Sequence, residues 1–538
     1  MGNGSRKSKI VIIAALVALP IFFSCKKKSS ALPAARAPGD EIRALFVTPY
    51  RKADPSEFLW LQSLSKEYAL NLRWEVLSEE EWQAQKEARL SSPDAPDVLI
   101  NACTAEDYAH YPAFFLNLAQ FVGFSTPNLS LMFKENKNLA QAATMYNGAV
   151  YAFPSYSSLE WQQLFLHSAK CVIFINQQWL KALELPIPDT FAELEEVLFA
   201  FRTHDCNGDG DTTDEIPFDF YGWDGEQCSA VMLLGGLGIQ LTDGGKNGYF
   251  AENDEIKSYF CDTRYKFLLS MLARWYKLGF IRDAALTSDF EGFLSRSHGT
   301  RDGFALTGMV IGMEETVQFG KTLSSQYRPM LPPTMRLSEI DENAFSLAGF
   351  RRYWGTDSLT IQPDRISLSA QCPQKDAVIA FIDALYGTDW SVQSVFGGIA
   401  DGVVVKNSDF DFSVHTDIHF SNSFGEVGPH FLPNALSLAL PDNFVYAQLE
   451  RTAYQKLQVK KGNYYPEMYM KYPLEQLKAL SDMEKNISEI AHTARLRWIR
   501  GEGNIDSEWD SYCAALENAG LASALRVRQA AYNRYLQK

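Results

Sequence analysis

WLKALELPIPDTFAELEEVLFAFRTHDCNGDGDTTDEIPF, residues 179–218, runs an amphipathic helix into an acidic loop punctuated by glycine. Thr190 and Glu193 have the spacing of a capping box, in which each side chain satisfies a backbone N–H at the helix start. Phe191, Leu194, Leu198 and Phe201 recur at helical spacing and mark one buried stripe. The loop Asp205-Cys-Asn-Gly-Asp-Gly-Asp-Thr-Thr-Asp-Glu215 then begins like an EF-hand. Oxygen side chains stand at its first, third and fifth positions, and Gly210 at the sixth allows the sharp turn around a hard cation. A bidentate Glu belongs at the twelfth position, but Ile216 is there and Glu215 lies one residue early. The expected ligands are therefore Asp205, Asn207, Asp209 and Asp211, with Asp214 or Glu215 closing the shell. Five carboxylates in this loop repel one another unless a cation sits among them. The spacing predicts a structural Ca²⁺, and no nucleophile or base accompanies it.

The segments before this stretch alternate strand and helix. Ile42–Val47, Leu72–Val76 and Val98–Ile100 read as strands, and residues 55–68 and 79–90 as helices. Such alternation means βαβ units and a mostly parallel sheet. Ligands of open α/β sheets sit beyond the carboxyl ends of the strands, so Tyr50 and Asn101 are cleft candidates. Further strands are expected at Val172–Ile175 and Phe304–Ile311, with a turn, short strand and stop at Tyr146–Pro154. The chain should end in a helical hairpin: Trp509, Tyr512, Cys513 and Leu516 line one helix, Gly520 stops it, and Leu521, Leu525, Ala531, Tyr532 and Tyr535 line the next.

Residues 1–24 read as a secretory signal. Arg6, Lys7 and Lys9 precede an apolar run from Ile10 to Phe23, the length of a signal core and short for a membrane span. The run ends in Phe-Phe-Ser-Cys25, in the order of a bacterial lipobox, so Cys25 is the expected lipidated N-terminus. Residues 25–40 are basic and then Ala/Pro-rich, which suits a flexible tether. With 50 basic and 65 acidic residues the formal charge is −15, which argues against nucleic acid as partner. The seven cysteines after Cys25 are scattered singly, so neither a disulfide framework nor a zinc site is indicated, and a single bridge stays open.

Several blocks spread along the chain resemble one family. They are YNGAVYAFP at 146–154, WLKALELPIPDTFAELEEVLFAF at 179–201, the acidic loop through Pro217, WYKLGFI at 275–281 and NIDSEWDSYCAALENAGLASALRVRQAAYNRY at 504–535. Together they resemble extracellular solute-binding proteins of family 1, within it the LplA/LipO-like binding lipoproteins of carbohydrate ABC importers. Asn176, where a charged residue is usual, and the spacing of the acidic loop depart from the family pattern. The resemblance implies an α/β, two-lobed periplasmic-binding-protein fold (type II, Venus-flytrap) with a helical C-terminal extension. Residues 41–152 and 312–362 are expected in lobe 1, and residues 153–311 and 363–538 in lobe 2. It further implies a monomeric, lipid-anchored, extracytoplasmic subunit that binds a carbohydrate, passes it to permease subunits and performs no catalysis.

Sugar rings present apolar faces that aromatic rings stack on, and the chain has 11 Trp, 24 Tyr and 35 Phe. Trp223 and Trp354 stand in polar, Gly-containing stretches unlike core positions and are the expected platforms. Tyr156, after the expected hinge strand, and Glu314, after an apolar strand, complete the expected ligand set with Tyr50. A secreted glycoside hydrolase needs two placed carboxylates, and acidic residues are too plentiful to decide that. No GxSxG or HExxH motif is present. A sensor or peptide binder on the same fold also remains open.

Overall fold

The computed structural model describes residues 41–48, 53–158, 171–222, 228–242, 248–313, 315–335, 352–354, 361–415, 422–439, 454, 457 and 462–537. The signal, the tether and Cys25 lie outside them. Among the described residues no helix is long and apolar enough to cross a membrane.

Two main sheets organise the chain. The first contains β1 (Ile42–Thr48), β2 (Leu72–Ser78), β3 (Val98–Ile100), β4 (Ala152–Ser157), β11 (Ile361–Leu368) and β14 (Phe431–Leu432), in the order β14-β4-β11-β3-β1-β2. β1 pairs in parallel with both β2 and β3, as the alternating pattern predicts. β11 is antiparallel to its neighbours β3 and β4. The second sheet contains β5 (Val172–Asn176), β6 (Ile216–Asp219), β9 (Thr307–Gly312) and β10 (Tyr327–Met330), in the order β10-β5-β9-β6. A hairpin, β7 (Tyr249–Glu252) and β8 (Glu255–Ser258), and a small sheet of β12 (Val404–Ser408), β13 (Asp411–Val414) and β15 (Ser437–Ala439) complete the set.

Successive side chains of a strand point to opposite faces, and β1 serves two cores in this way. Ile42, Ala44 and Phe46 pack with Phe58, Leu64, Val378 and Ile382 on one side of the first sheet. Leu45 and Val47 face the other side, where Trp82, Tyr108 and Phe115 begin a core that continues through the second sheet and the C-terminal helices.

The sheets correct the expected lobe boundaries. β4 bonds to β11 and β14, so it belongs to the first sheet rather than opening lobe 2. β10 bonds to β5, so the chain after residue 312 stays with the second sheet. β11 lies inside the first sheet, and the helix Lys375–Leu385 packs on it. Local sequence marks where strands occur, but it does not mark partners that are far apart in the chain.

The expected C-terminal hairpin is present as the helices Ile505–Asn518 and Leu521–Leu536, and a longer helix, Leu474–Ile499, precedes it. Arg528 on the last is 1 % exposed and binds Glu484 through two hydrogen bonds of 2.6 and 2.8 Å. It also donates to Glu467 at 2.7 Å and to the Tyr465 hydroxyl at 2.6 Å, and its guanidinium lies 4.3 Å from the Tyr249 ring centre. Four separate segments therefore meet at one cation. The cysteines, isolated in sequence, also meet: Cys171 with Cys228, and Cys261 with Cys513, as thiol–thiol contacts.

A buried polar network joins β4 to β14. The Ser155 hydroxyl donates to Gly428 O at 2.7 Å and accepts from His430 N at 3.2 Å. One ring nitrogen of His430, Nδ1, lies 3.0 Å from Gly428 O and the other, Nε2, 3.1 Å from the Ser157 hydroxyl. A neutral ring donating from Nδ1 and accepting at Nε2 satisfies both contacts. Burial pushes the His430 pKa down to about 4. The unfolded chain takes up a proton below its ordinary value near 6.5, while the folded chain refuses it until about 4. This contribution is therefore fully present above pH ~6.5 and is lost as pH falls through that window, on the order of 3 kcal/mol. Denaturant unfolding measured from pH 7 to 4 should show a steeper loss of stability in the wild type than in His430→Asn. Parallel pH profiles would show that His430 is not held neutral.

Candidate ligand cleft and cation loop

The parallel strands of the first sheet end at Thr48, Ser78 and Ile100, and β4 ends at the same side at Ser157. β11 runs against them, so its beginning, Ile361–Arg365, lies at this edge too. Asn101 turns off β3 with φ of +54°, a left-handed conformation that asparagine tolerates better than most residues. Its amide donates to Val47 O at 2.9 Å, and its backbone N–H donates to Arg365 O at 2.9 Å. The Arg365 guanidinium donates in turn to the Asn101 side-chain oxygen. Asn101 thus braces β1, β3 and β11 together and aims Arg365.

This edge holds unspent polar capacity. Arg365 Nε and Gln362 Oε1 are buried without a hydrogen-bond partner. Burial lowers the Arg365 pKa to about 10. Burial also raises the pKa of Asp364, against the pull of Lys471 and Arg365 and with the help of Glu106. Unpartnered buried groups cost stability, and a native structure that keeps them invites a functional explanation. A donor, an acceptor and a carboxylate at this edge of the sheet can hydrogen-bond the hydroxyls of a polyol. Asp364 and Arg365 did not stand out in the sequence. The available signal was a charged pair directly after Pro363, between the apolar residues Ile361 and Ile366.

The expected aromatic contacts fare differently. Tyr50, Trp223 and Glu314 lie outside the described residues. Tyr156 is inside β4, not beyond it; it is buried, and its ring stacks on Phe431 at 6.0 Å. Trp354 is 1 % exposed, its indole N–H donates to Cys171 O at 2.7 Å, and Tyr454 packs against its ring. The expectation of a non-core Trp354 is overturned: its polar sequence neighbours hid the fact that its N–H has a buried carbonyl to satisfy. Neither ring presents an open face to a sugar.

The acidic loop joins the helix Phe191–Thr203 to β6, and Thr190 and Glu193 form the capping box at that helix start. Gly208 and Gly210 take φ of +79° and +94°, which the turn requires. Asp205 accepts from Gly208 N at 2.7 Å and Gly210 N at 3.0 Å. Asn207 accepts from Asp209 N, Asp209 from Asp211 N, and Asp211 from Thr213 N, each at 2.8–2.9 Å. These bonds coil the loop and gather its oxygens. Glu215, 1 % exposed, accepts from Cys206 N at 2.7 Å through one oxygen. Its other oxygen and Asp214 Oδ1 are buried without a partner. Burial raises both pKa values, and for Asp214 the carboxylates of Asp209 and Asp211 add to the rise. Among the described residues no three His, Cys, Asp or Glu side chains are arranged as a finished metal site. The two orphaned carboxylate oxygens inside an oxygen-rich coil nevertheless fit a hard cation.

No family model matches the chain. The fructooligosaccharide ABC transporter substrate-binding protein FusA of Streptococcus pneumoniae serotype 4 is 24 % identical over 561 aligned residues, covering 98 % of each protein. A solved solute-binding protein of Bifidobacterium longum infantis, described as HMO-binding and ABC-transporter-associated, is 26 % identical with a TM-score of 0.75. That match covers 92 % of this chain and 99 % of the other. A FusA EF-hand mutant in complex with fructo-nystose has a TM-score of 0.77 at 21 % identity, covering 93 % of this chain and all of the other. Over nearly its whole length, in sequence and in fold, the chain is a relative of the substrate-binding proteins of ABC transporters.

Proposed function

We propose that this protein is the lipid-anchored, extracytoplasmic substrate-binding subunit of an ABC importer and that it captures an oligosaccharide. The observation that carries the reading is the polar group Asn101, Gln362, Asp364 and Arg365 at the carboxyl edge of the first sheet. Its unsatisfied donor and acceptor suit sugar hydroxyls, in a chain related throughout to a fructooligosaccharide-binding protein. The sugar lies between this edge and the second lobe, and Tyr50, Trp223 and Glu314 are proposed as further contacts. Lobe closure around it presents the loaded protein to the permease subunits, a hinge motion that compacts the molecule. The protein binds and releases its ligand without altering it.

Calorimetry against a panel that includes fructooligosaccharides should find a saccharide ligand, and scattering should report a smaller radius when it binds. Asp364→Asn should weaken that binding at least tenfold, because the amide keeps the shape of the side chain but loses the charge-assisted hydrogen bond to a hydroxyl. A saccharide bound equally well by Asp364→Asn would move the site elsewhere. Cleavage of the saccharide, or tight binding of a peptide alone, would overturn the function.

The anchor follows from the order of charged, apolar and Ser-Cys25 segments. Metabolic labelling with palmitate should mark the wild type and not Cys25→Ala. Equal label in both would show the leader to be an ordinary signal peptide.

Calcium at residues 205–215 is proposed as structural, held by Asp205, Asn207, Asp209, Asp211, Asp214 and Glu215. When bound it would add positive charge to a loop of five carboxylates that has Arg282 beside it, and Arg282 spends two hydrogen bonds on the carbonyls of Thr213 and Glu215. A chelator should lower the melting temperature of the wild type by several degrees, since a ligand of the folded state stabilises it by mass action. Asp209→Ala should melt at the chelated value and ignore the chelator. Metal analysis without calcium, together with no chelator response, would leave only an acidic turn.

A further inference from the structure

Cys171 and Cys228 are 57 positions apart in sequence, yet both are fully buried with their sulfurs 3.0 Å apart. That separation is below the contact distance of two non-bonded sulfurs, ~3.6 Å or more, and a sub-ångström movement from bonding distance. Each cysteine is held from behind. Cys171 leads directly into β5, and its carbonyl accepts the Trp354 indole N–H at 2.7 Å. Cys228 takes φ of +77°, unusual for a residue with a side chain, and its carbonyl accepts from Tyr221 N at 3.1 Å. A non-glycine residue held in this backbone region costs energy, and such strain persists only where the surroundings impose it. It is from this backbone conformation that the Cys228 thiol meets Cys171.

We propose that Cys171 and Cys228 form a disulfide in the mature protein. The proposal rests on the extracytoplasmic location read above, because such bonds persist in oxidising compartments and are rare in the cytosol. The bond forms as the chain folds, before both sulfurs are buried. One thiolate attacks a sulfur of an oxidant disulfide, such as that of a thiol–disulfide oxidoreductase, and releases one of its thiols. The second cysteine thiolate then attacks the mixed disulfide, forms the Cys171–Cys228 bond and releases the other thiol. Two electrons and the two thiol protons end on the oxidant, now a dithiol. The bond staples the start of β5 to the chain that follows β6, two strands separated in the second sheet by β9. It closes a long loop, the situation in which a cross-link restricts the unfolded chain most.

The experiment uses the full chain isolated from the compartment to which its leader sends it. The protein is unfolded without reductant, alkylated with iodoacetamide, digested and mapped by mass spectrometry. Cys171 and Cys228 should escape alkylation and appear in one cross-linked peptide pair, while Cys103 and Cys372 are alkylated. Cys171→Ser should free Cys228 to alkylation and lower the melting temperature by about 3–8 °C. In parallel, reduced chain is refolded with oxidised and reduced glutathione, which tests the pairing whatever the natural compartment. Free Cys171 and Cys228 after that refolding would overturn the disulfide. Saccharide binding measured on the same samples reports the function independently, so a binder with free thiols sinks only the bridge. A bridged protein that binds no saccharide sinks only the function.

Discussion

Arg528 is the cation on which the C-terminal architecture turns. Burying a guanidinium is expensive, and its attraction to carboxylates repays that cost only when the geometry is good and every donor is used. Here it meets a bidentate Glu484, Glu467, the Tyr465 hydroxyl and the face of Tyr249. Glu484 lies on the helix Leu474–Ile499 and Tyr249 on β7, so the last helix, the long helix and the hairpin have one mutual arrangement that satisfies the charge. Removing one partner leaves a buried charge, which typically costs about 3–5 kcal/mol.

That fixed arrangement matters because the long helix touches both halves of the molecule. His110, from the short helix after β3, reaches Asp482, and Trp498 packs with Tyr512 and Trp509 further along. The core on this side runs without a break from Leu45 and Trp82 to the second sheet. The polar edge at Asn101 and Arg365 therefore forms against a rigid background.

The parallel start, the capped helix at Thr190 and the glycines of the acidic loop were all legible in the sequence, because each is a local pattern of spacing or backbone freedom. The lobe boundaries were not. β4 and β11 become first-sheet strands through pairing over some two hundred residues, and nothing in Ala152–Ser157 names its partner. Trp354 misled for a related reason: polarity of sequence neighbours measures the local chain, whereas burial depends on what the rest of the chain brings to it. Asp364 and Arg365 were hidden because charged residues in a strand ordinarily face water. Only the sheet order shows that this strand lies inside the sheet, between β3 and β4.

The acidic loop and the cysteine pair share a physical logic. Both fasten the chain near β6, one before the strand at Asp205–Glu215 and one after it at Cys228. β6 is an edge strand of the second sheet, bonded on one side to β9. An edge strand has half the ladder of a central one and is more easily lost. Asp219, at its end, is buried and holds Arg296 through bonds of 2.7 and 3.1 Å, a third fastening. With Glu215 bonded to Cys206 N just before the strand, Asp219 to Arg296 at its end and Cys228 set against Cys171 beyond it, the strand is held on both sides along the chain, which offsets the ladder it lacks as an edge.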